Sequence, residues 1–151
     1  MSALEIKTAG NPVLRQVAAE VTRFDKKLGH FLKNMAETMV QANGCGLAAP
    51  QVGISKRIIV VDVGEGVIEL INPVIVVQKG SCVLEEGCLS VPDFVGEVER
   101  ANFVSVNFYD RKGQKMNIEG EGLLAVALQH EIDHLNGVLF VDKAKSLSHK
   151  E

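Results

Sequence analysis

The run HEIDH at 130–134 holds the residues best placed to do chemistry in this chain. In a helix, residues four apart lie one turn above each other, so His130 and His134 would project from one face and chelate a single ion. Glu131 stands about 100° round the helix from His130, beside the site yet free to act on a bound water as a proton shuttle. Leu123, Val126 and Ala127 fall on roughly the same face and predict an apolar floor. Two surface histidines with a chance glutamate between them are the plain alternative. An ion held by two imidazoles, however, demands a third ligand, because catalytic sites of this kind take three protein ligands and keep one position open.

A thiolate suits zinc or iron(II) in that role, and Cys45, Cys82 and Cys88 all compete for it. Cys88 lies in EEGCLSVP, where Gly87 and Pro92 bracket a tight segment able to bring backbone close to a ligand. Residue type does not decide among the three, since a lone cysteine is most often a small buried hydrophobe.

The elements that must position these side chains are partly legible. A last helix from about Gly122 to Leu135, stopped by Asn136-Gly137, would carry HEIDH. Asn11-Pro12 predicts the start of a short helix, VLRQVAA. Asp25 predicts the cap of a longer one, in which Leu28, Phe31, Leu32, Met35 and Met39 form one apolar stripe and Gly44 and Gly46 end the helix. Strand-like runs follow at 57–63, 67–72, 74–78 and 103–110, with Asn72-Pro73 bending the chain between the middle two. Strands clustered between helices predict an α+β fold, mainly antiparallel sheets packed around the C-terminal helix that carries HExxH.

At 151 residues, with 46% hydrophobic and 23% charged, the composition fits one domain over residues 1–151. A net charge of −3 gives no electrostatic footprint for nucleic acid or an anionic membrane. No apolar run is long enough for a membrane span, and MSALEIKTAG lacks the regions of a secretory signal. An odd number of cysteines, three, points to thiols in a reducing cytoplasm.

GCGLAAPQ, Gly44 to Gln51, contains a G-x-G-x-x-A pattern, but it follows a helical stripe and Pro50 interrupts any helix it could open, so a dinucleotide site is rejected. A strand with exposed backbone, able to pair with an extended peptide, fits better, and Gln51 adds an amide able to donate to an oxyanion. GCGLAAPQ, EGCLS at 86–90 and QHEIDHLNG at 129–137, in this order and spacing, resemble the three signature motifs of the peptide deformylases over nearly the whole chain.

That resemblance implies a hydrolase removing the N-formyl group from the initiator methionine of nascent polypeptides and releasing formate. It implies Cys88, His130 and His134 as metal ligands and Glu131 as general acid and base, with Gln51 and the Leu89 N–H as the oxyanion hole. Gly46 and Cys45 would lie along the substrate, with Leu123, Val126 and Ala127 near its methionine side chain. The ion implied is iron(II), with nickel, cobalt or zinc as substitutes. The partners implied are N-formylmethionyl peptides, met close to the ribosome. Two departures stand out: Val95 occupies the position where some members carry a peptide-gripping arginine, and the sequence stops soon after the last motif with only SLSHKE for a tail where some carry a long helix. Asp133 and Arg100 could pair behind the helix, although a solvated charge is the simpler expectation. Glu86 is expected to fix its loop by hydrogen bonding.

The rivals are an HExxH peptidase completed by a carboxylate or third histidine, and a noncatalytic module whose zinc is closed by Cys82 as fourth ligand.

Overall fold

The segment IIVV at 58–61 is β-branched and apolar at every position, as suits a strand covered on both faces. The computed structural model, which describes residues 4–150, builds the fold around it. This segment is β2 (Ile58–Val61), buried throughout, with Ile59 and Val61 entering one core and Ile58 and Val60 another. It pairs antiparallel with β1 (Gly46–Ala48) on one side and β3 (Ile68–Lys79) on the other. With β6 (Phe103–Tyr109) and β7 (Lys115–Glu121) these strands form a five-stranded sheet in the order β1-β2-β3-β6-β7. A second sheet, β4 (Cys82–Cys88), β5 (Val91–Arg100) and β8 (Ser146–His149), is ordered β4-β5-β8, and every pairing in both sheets is antiparallel.

One helix packs on each face of the larger sheet. The carboxylate of Asp25 accepts the Leu28 N–H and caps α1 (Lys26–Gln41), whose Leu28, Leu32, Met35 and Met39 meet Leu47, Ile58, Val60 and Ile71. On the other face α2 (Leu123–Leu135) sets Ala125, Leu128, Ile132 and Leu135 against Ala48, Ile59, Leu70 and Val104. Each such aliphatic side chain contributes about 1.5–3 kcal/mol of burial. The outcome is the predicted α+β fold, with antiparallel sheets about a C-terminal helix. Among the described residues no helix is long and apolar enough to cross a membrane.

Several local expectations change. VLRQVAA is not a helix: a 3-10 turn covers only Pro12–Arg15, with Asn11 capping the Val13 N–H. The helix α1 stops before either glycine. Asn43 takes the left-handed conformation (φ 58°), its N–H bonds Val40 and that of Gly44 bonds Met39, which is the Schellman closure. Gly46 already belongs to β1. The two runs on either side of Asn72-Pro73 are one strand, β3, with a register shift between Ile71 and Val74. There the Asn72 amide exchanges two hydrogen bonds with the Val21 backbone, at 2.8 and 3.0 Å, while its own N–H bonds the Arg57 carbonyl. Asn136-Gly137 does end α2, by the same Schellman pairing of Gly137 to His134 and Val138 to Asp133.

Candidate active site

The smaller sheet meets α2 at its hairpin. Between β4 and β5 the chain turns through Leu89 and Ser90, and the register shifts at Gly87, placing Cys88 against the helix. Cys88 Sγ lies 3.3 Å from His134 Nε2. Ligand atoms of Cys88, His130 and His134 all fall within 4.8 Å of one another, close enough to share one ion. Cys82 is outside this group, at the far end of β4 opposite Arg100. Six residues of extended chain put it about 20 Å away, which removes the four-ligand structural zinc reading. Cys45, exposed at the entry to β1, is likewise outside it.

The donor set fits a divalent ion. His130 Nδ1 is hydrogen bonded to Glu86 Oε1 at 2.8 Å, which leaves Nε2 for the site. Burial, reinforced by the nearby His130 and Arg100, drives His134 down to about 3, so its imidazole is neutral with a lone pair to give. Burial by itself would depress His130 too, but the negative charges of Glu131, Cys88 and Glu86 hold it well above its ordinary value. A cation is therefore favoured where these groups converge.

Behind the ligands lies a buried ion cluster. Arg100, on β5, donates Nε to Glu86 Oε2 at 2.6 Å and Nη2 to Glu86 Oε1 at 2.9 Å, a forked pair, and Nη1 to Asp133 Oδ2 at 2.8 Å. The Arg100–Asp133 contact is thus a real ion pair with a 3% exposed guanidinium, joined from outside by Lys143. One side chain ties the strand carrying Cys88 to the helix carrying both histidines. We expect Arg100→Met to cost about 3–5 kcal/mol, because it leaves the buried Glu86 carboxylate without its guanidinium. Urea denaturation would measure this, and a loss below about 1 kcal/mol would contradict it.

Glu131 is 4% exposed, and its Oε1 has no hydrogen-bond partner among the described residues. Burial raises its carboxyl to about 7, against the opposing pull of His130 and Arg100. It can therefore exist in either protonation state near neutral pH. Its other oxygen lies 4.0 Å from His130 Nε2. Gly46 is what admits it: a Cβ there would come within 2.8 Å of Glu131 Cγ and closer still to Oε2. Gln51 sits in the 3-10 turn after β1, where Oε1 accepts the Ala48 N–H at 2.9 Å. Its Nε2 donates to Ser90 Oγ at 3.1 Å and reaches Cys88 Sγ at 3.5 Å.

These groups open onto a cleft of about 490 Å³ whose walls include Cys45, Gly46, Gln51, Leu89 and Glu131. Leu123, Val126 and Ala127 line it beside His130, although Leu123 is half exposed. The sequence motifs did not reveal Glu86 as the partner of His130, the contact of Gly46 with Glu131, or Phe140, whose ring stacks on His130 at 6.2 Å. Each depends on contact between elements far apart in the sequence.

A thiolate and two imidazoles around one point, with a buried carboxylate beside them at an open cleft, define a metal-dependent hydrolase. Comparison with known proteins specifies which. The family model described as Polypeptide deformylase matches residues 3–150. The peptide deformylase of Halothermothrix orenii is 57% identical, over 95% of this chain and 94% of its own. That of Desulfitobacterium hafniense is 52% identical, over 99% of this chain and all of its own. The crystal structure of peptide deformylase from Thermotoga maritima superposes with a TM-score of 0.94 at 44% identity, covering 97% of this chain and all of that one. The chain belongs to the polypeptide deformylase family. It is accordingly a metal-dependent hydrolase that removes the N-formyl group from nascent polypeptides.

Proposed function

We propose that Cys88, His130 and His134 hold one divalent ion, iron(II) in the working enzyme, and that Glu131 moves the proton. The observation that carries this reading is the convergence of the three donor atoms beside a buried, half-titrated carboxylate. When bound, the ion supplies Lewis acidity toward the formyl oxygen and the attacking water. The peptide lies extended along the backbone of Gly44 to Gly46, with Cys45 a small wall residue and Leu123, Val126 and Ala127 receiving the methionine side chain. Glu131 accepts a proton from the attacking water and delivers it to the departing α-amine, a task suited to a group that titrates near neutrality. Gln51 Nε2 and the Leu89 N–H donate to the negative charge that develops on the formyl oxygen. Ser90 Oγ holds one Gln51 N–H at 3.1 Å, and the other, which reaches Cys88 Sγ at 3.5 Å, is the one assigned to the substrate.

Iron(II) rather than zinc rests on family likeness, because a Cys-His-His set accepts either, and nickel or cobalt will substitute. Residues 1–151 act as one catalytic domain in the cytoplasm, close to the ribosome where formylated chains emerge. Ferrous iron and the Cys88 thiolate both oxidise, so activity should last longer without oxygen than in air. Formate release from formyl-Met-Ala peptides by metal-loaded, anaerobic protein tests the whole reading, and its absence would overturn it.

A further inference from the structure

The mechanism accounts for the floor of the cleft but not for its rim. Among the described residues lining the cleft there is a single lysine or arginine, Lys150, and it directly follows the last strand rather than belonging to any of the three motifs. The pairing of β8 sets where it stands. Its residues pair with β5 from Glu97–Ser146 to Phe94–His149, and the flanking N–H groups of Lys145 and Lys150 bond Glu97 and Asp93 at 2.7 and 2.9 Å. Gly96 makes room for the strand, since a Cβ there would stand 2.9 Å from Leu147 Cδ2 and 3.0 Å from Ala144 Cβ. The rings of Phe94 and His149 meet at 4.8 Å and fix the end from which Lys150 departs.

Among the described residues no carboxylate takes up the Lys150 ammonium, and Asp93, across the strand, is not paired with it. Glu86 is committed to Arg100 and His130, and Glu131 lies on the floor. Glu85, the remaining carboxylate on the wall, is in register with Glu97, four residues along β5 from Asp93, or about 13 Å. A peptide whose formyl end reaches the buried carboxylate must leave the cleft past its rim.

We infer that Lys150 is a specificity-determining residue of the deformylation reaction, favouring nascent peptides that carry a carboxylate downstream of the formyl-methionine. This rests on the function proposed above. An exposed pair acts alike on bound substrate and transition state, so the preference falls mainly on KM and amounts to about two- to five-fold.

The test is kcat/KM for formyl-Met tetrapeptide amides bearing Glu, Gln or Lys at the second, third or fourth residue, with the wild-type chain, K150M and K150E, all metal-loaded. At one of these positions the wild type should prefer Glu over Gln over Lys; K150M should level the series and K150E invert it, while the Gln peptide is turned over equally by all three. The preference should shrink as salt rises from about 0.02 to 0.5 M. A wild type indifferent to charge at all three positions, or a preference that survives in K150M, would overturn the inference. No formate from the Gln peptide with the wild type would overturn the proposed function, and this inference with it.

Discussion

Glu131→Gln is expected to bind metal normally and to lose about 10²–10⁴ in kcat, the range that a positioned proton-transfer group contributes. The substitution keeps size and burial, and removes only the ability to take up and return a proton. The ligands do not depend on Glu131 for support: His130 is oriented by Glu86, and Arg100 clamps Glu86 and Asp133. Metal content should therefore stay at one ion per chain while formate release collapses. Because burial holds the carboxyl at about 7, the wild type should also lose activity as the pH falls below that value, when Glu131 is already protonated and can no longer accept. Paired elemental analysis and formate assays across pH would check both. A variant with full metal and substantial turnover would remove Glu131 from the mechanism.

The second large effect comes from a residue with no side chain. Gly46→Ala puts a methyl group within 2.8 Å of Glu131 Cγ, and neither partner can retreat easily. Gly46 is paired with Val61 in the sheet, and Glu131 is fixed by the helix that also carries both histidines. The carboxylate must rotate away from the water it serves, and a misplacement of about 1 Å can cost 10²-fold. We expect that loss in kcat with metal retained, together with about 1–3 kcal/mol of overpacking strain. Adding Gly46→Ala to Glu131→Gln should then cost little more, because both act through one group. Additive losses in the double variant would show that Gly46 matters for some other reason, such as direct contact with the peptide.

The parts of this molecule that were readable from sequence are those in which local pattern and tertiary role agree. The spacing of His130 and His134, the stripe of α1 and the Asn136-Gly137 stop each depend on one element, and each is found as expected. What escaped reading depends on two elements at once. β4 and β5 carry Glu85, Glu86, Asp93, Glu97 and Glu99 among their apolar residues, so their polar positions masked strands whose one buried carboxylate, Glu86, is paired by Arg100 of β5 and His130 of α2. Asn72-Pro73 looks like a break because nothing local indicates that Val21 will bond the Asn72 amide. Cys88 could not be separated from Cys45 and Cys82 by chemistry alone, because the choice depends on which of them the hairpin brings to the helix.

The double burial of β2 has a consequence for how the chain comes apart. Alternate side chains of Ile58–Val61 belong to different cores, one roofed by α1 and the other by α2. Peeling either helix away exposes two aliphatic side chains of the same four-residue strand, and the other helix gains nothing in return. Neither half is then a stable resting place, so α1 and α2 should lose amide protection together in hydrogen exchange, although α1 contributes nothing to the ligand set. The lowest-energy openings should instead be at β8, whose side chains are all exposed, so the strand that leads into Lys150 is expected to exchange first.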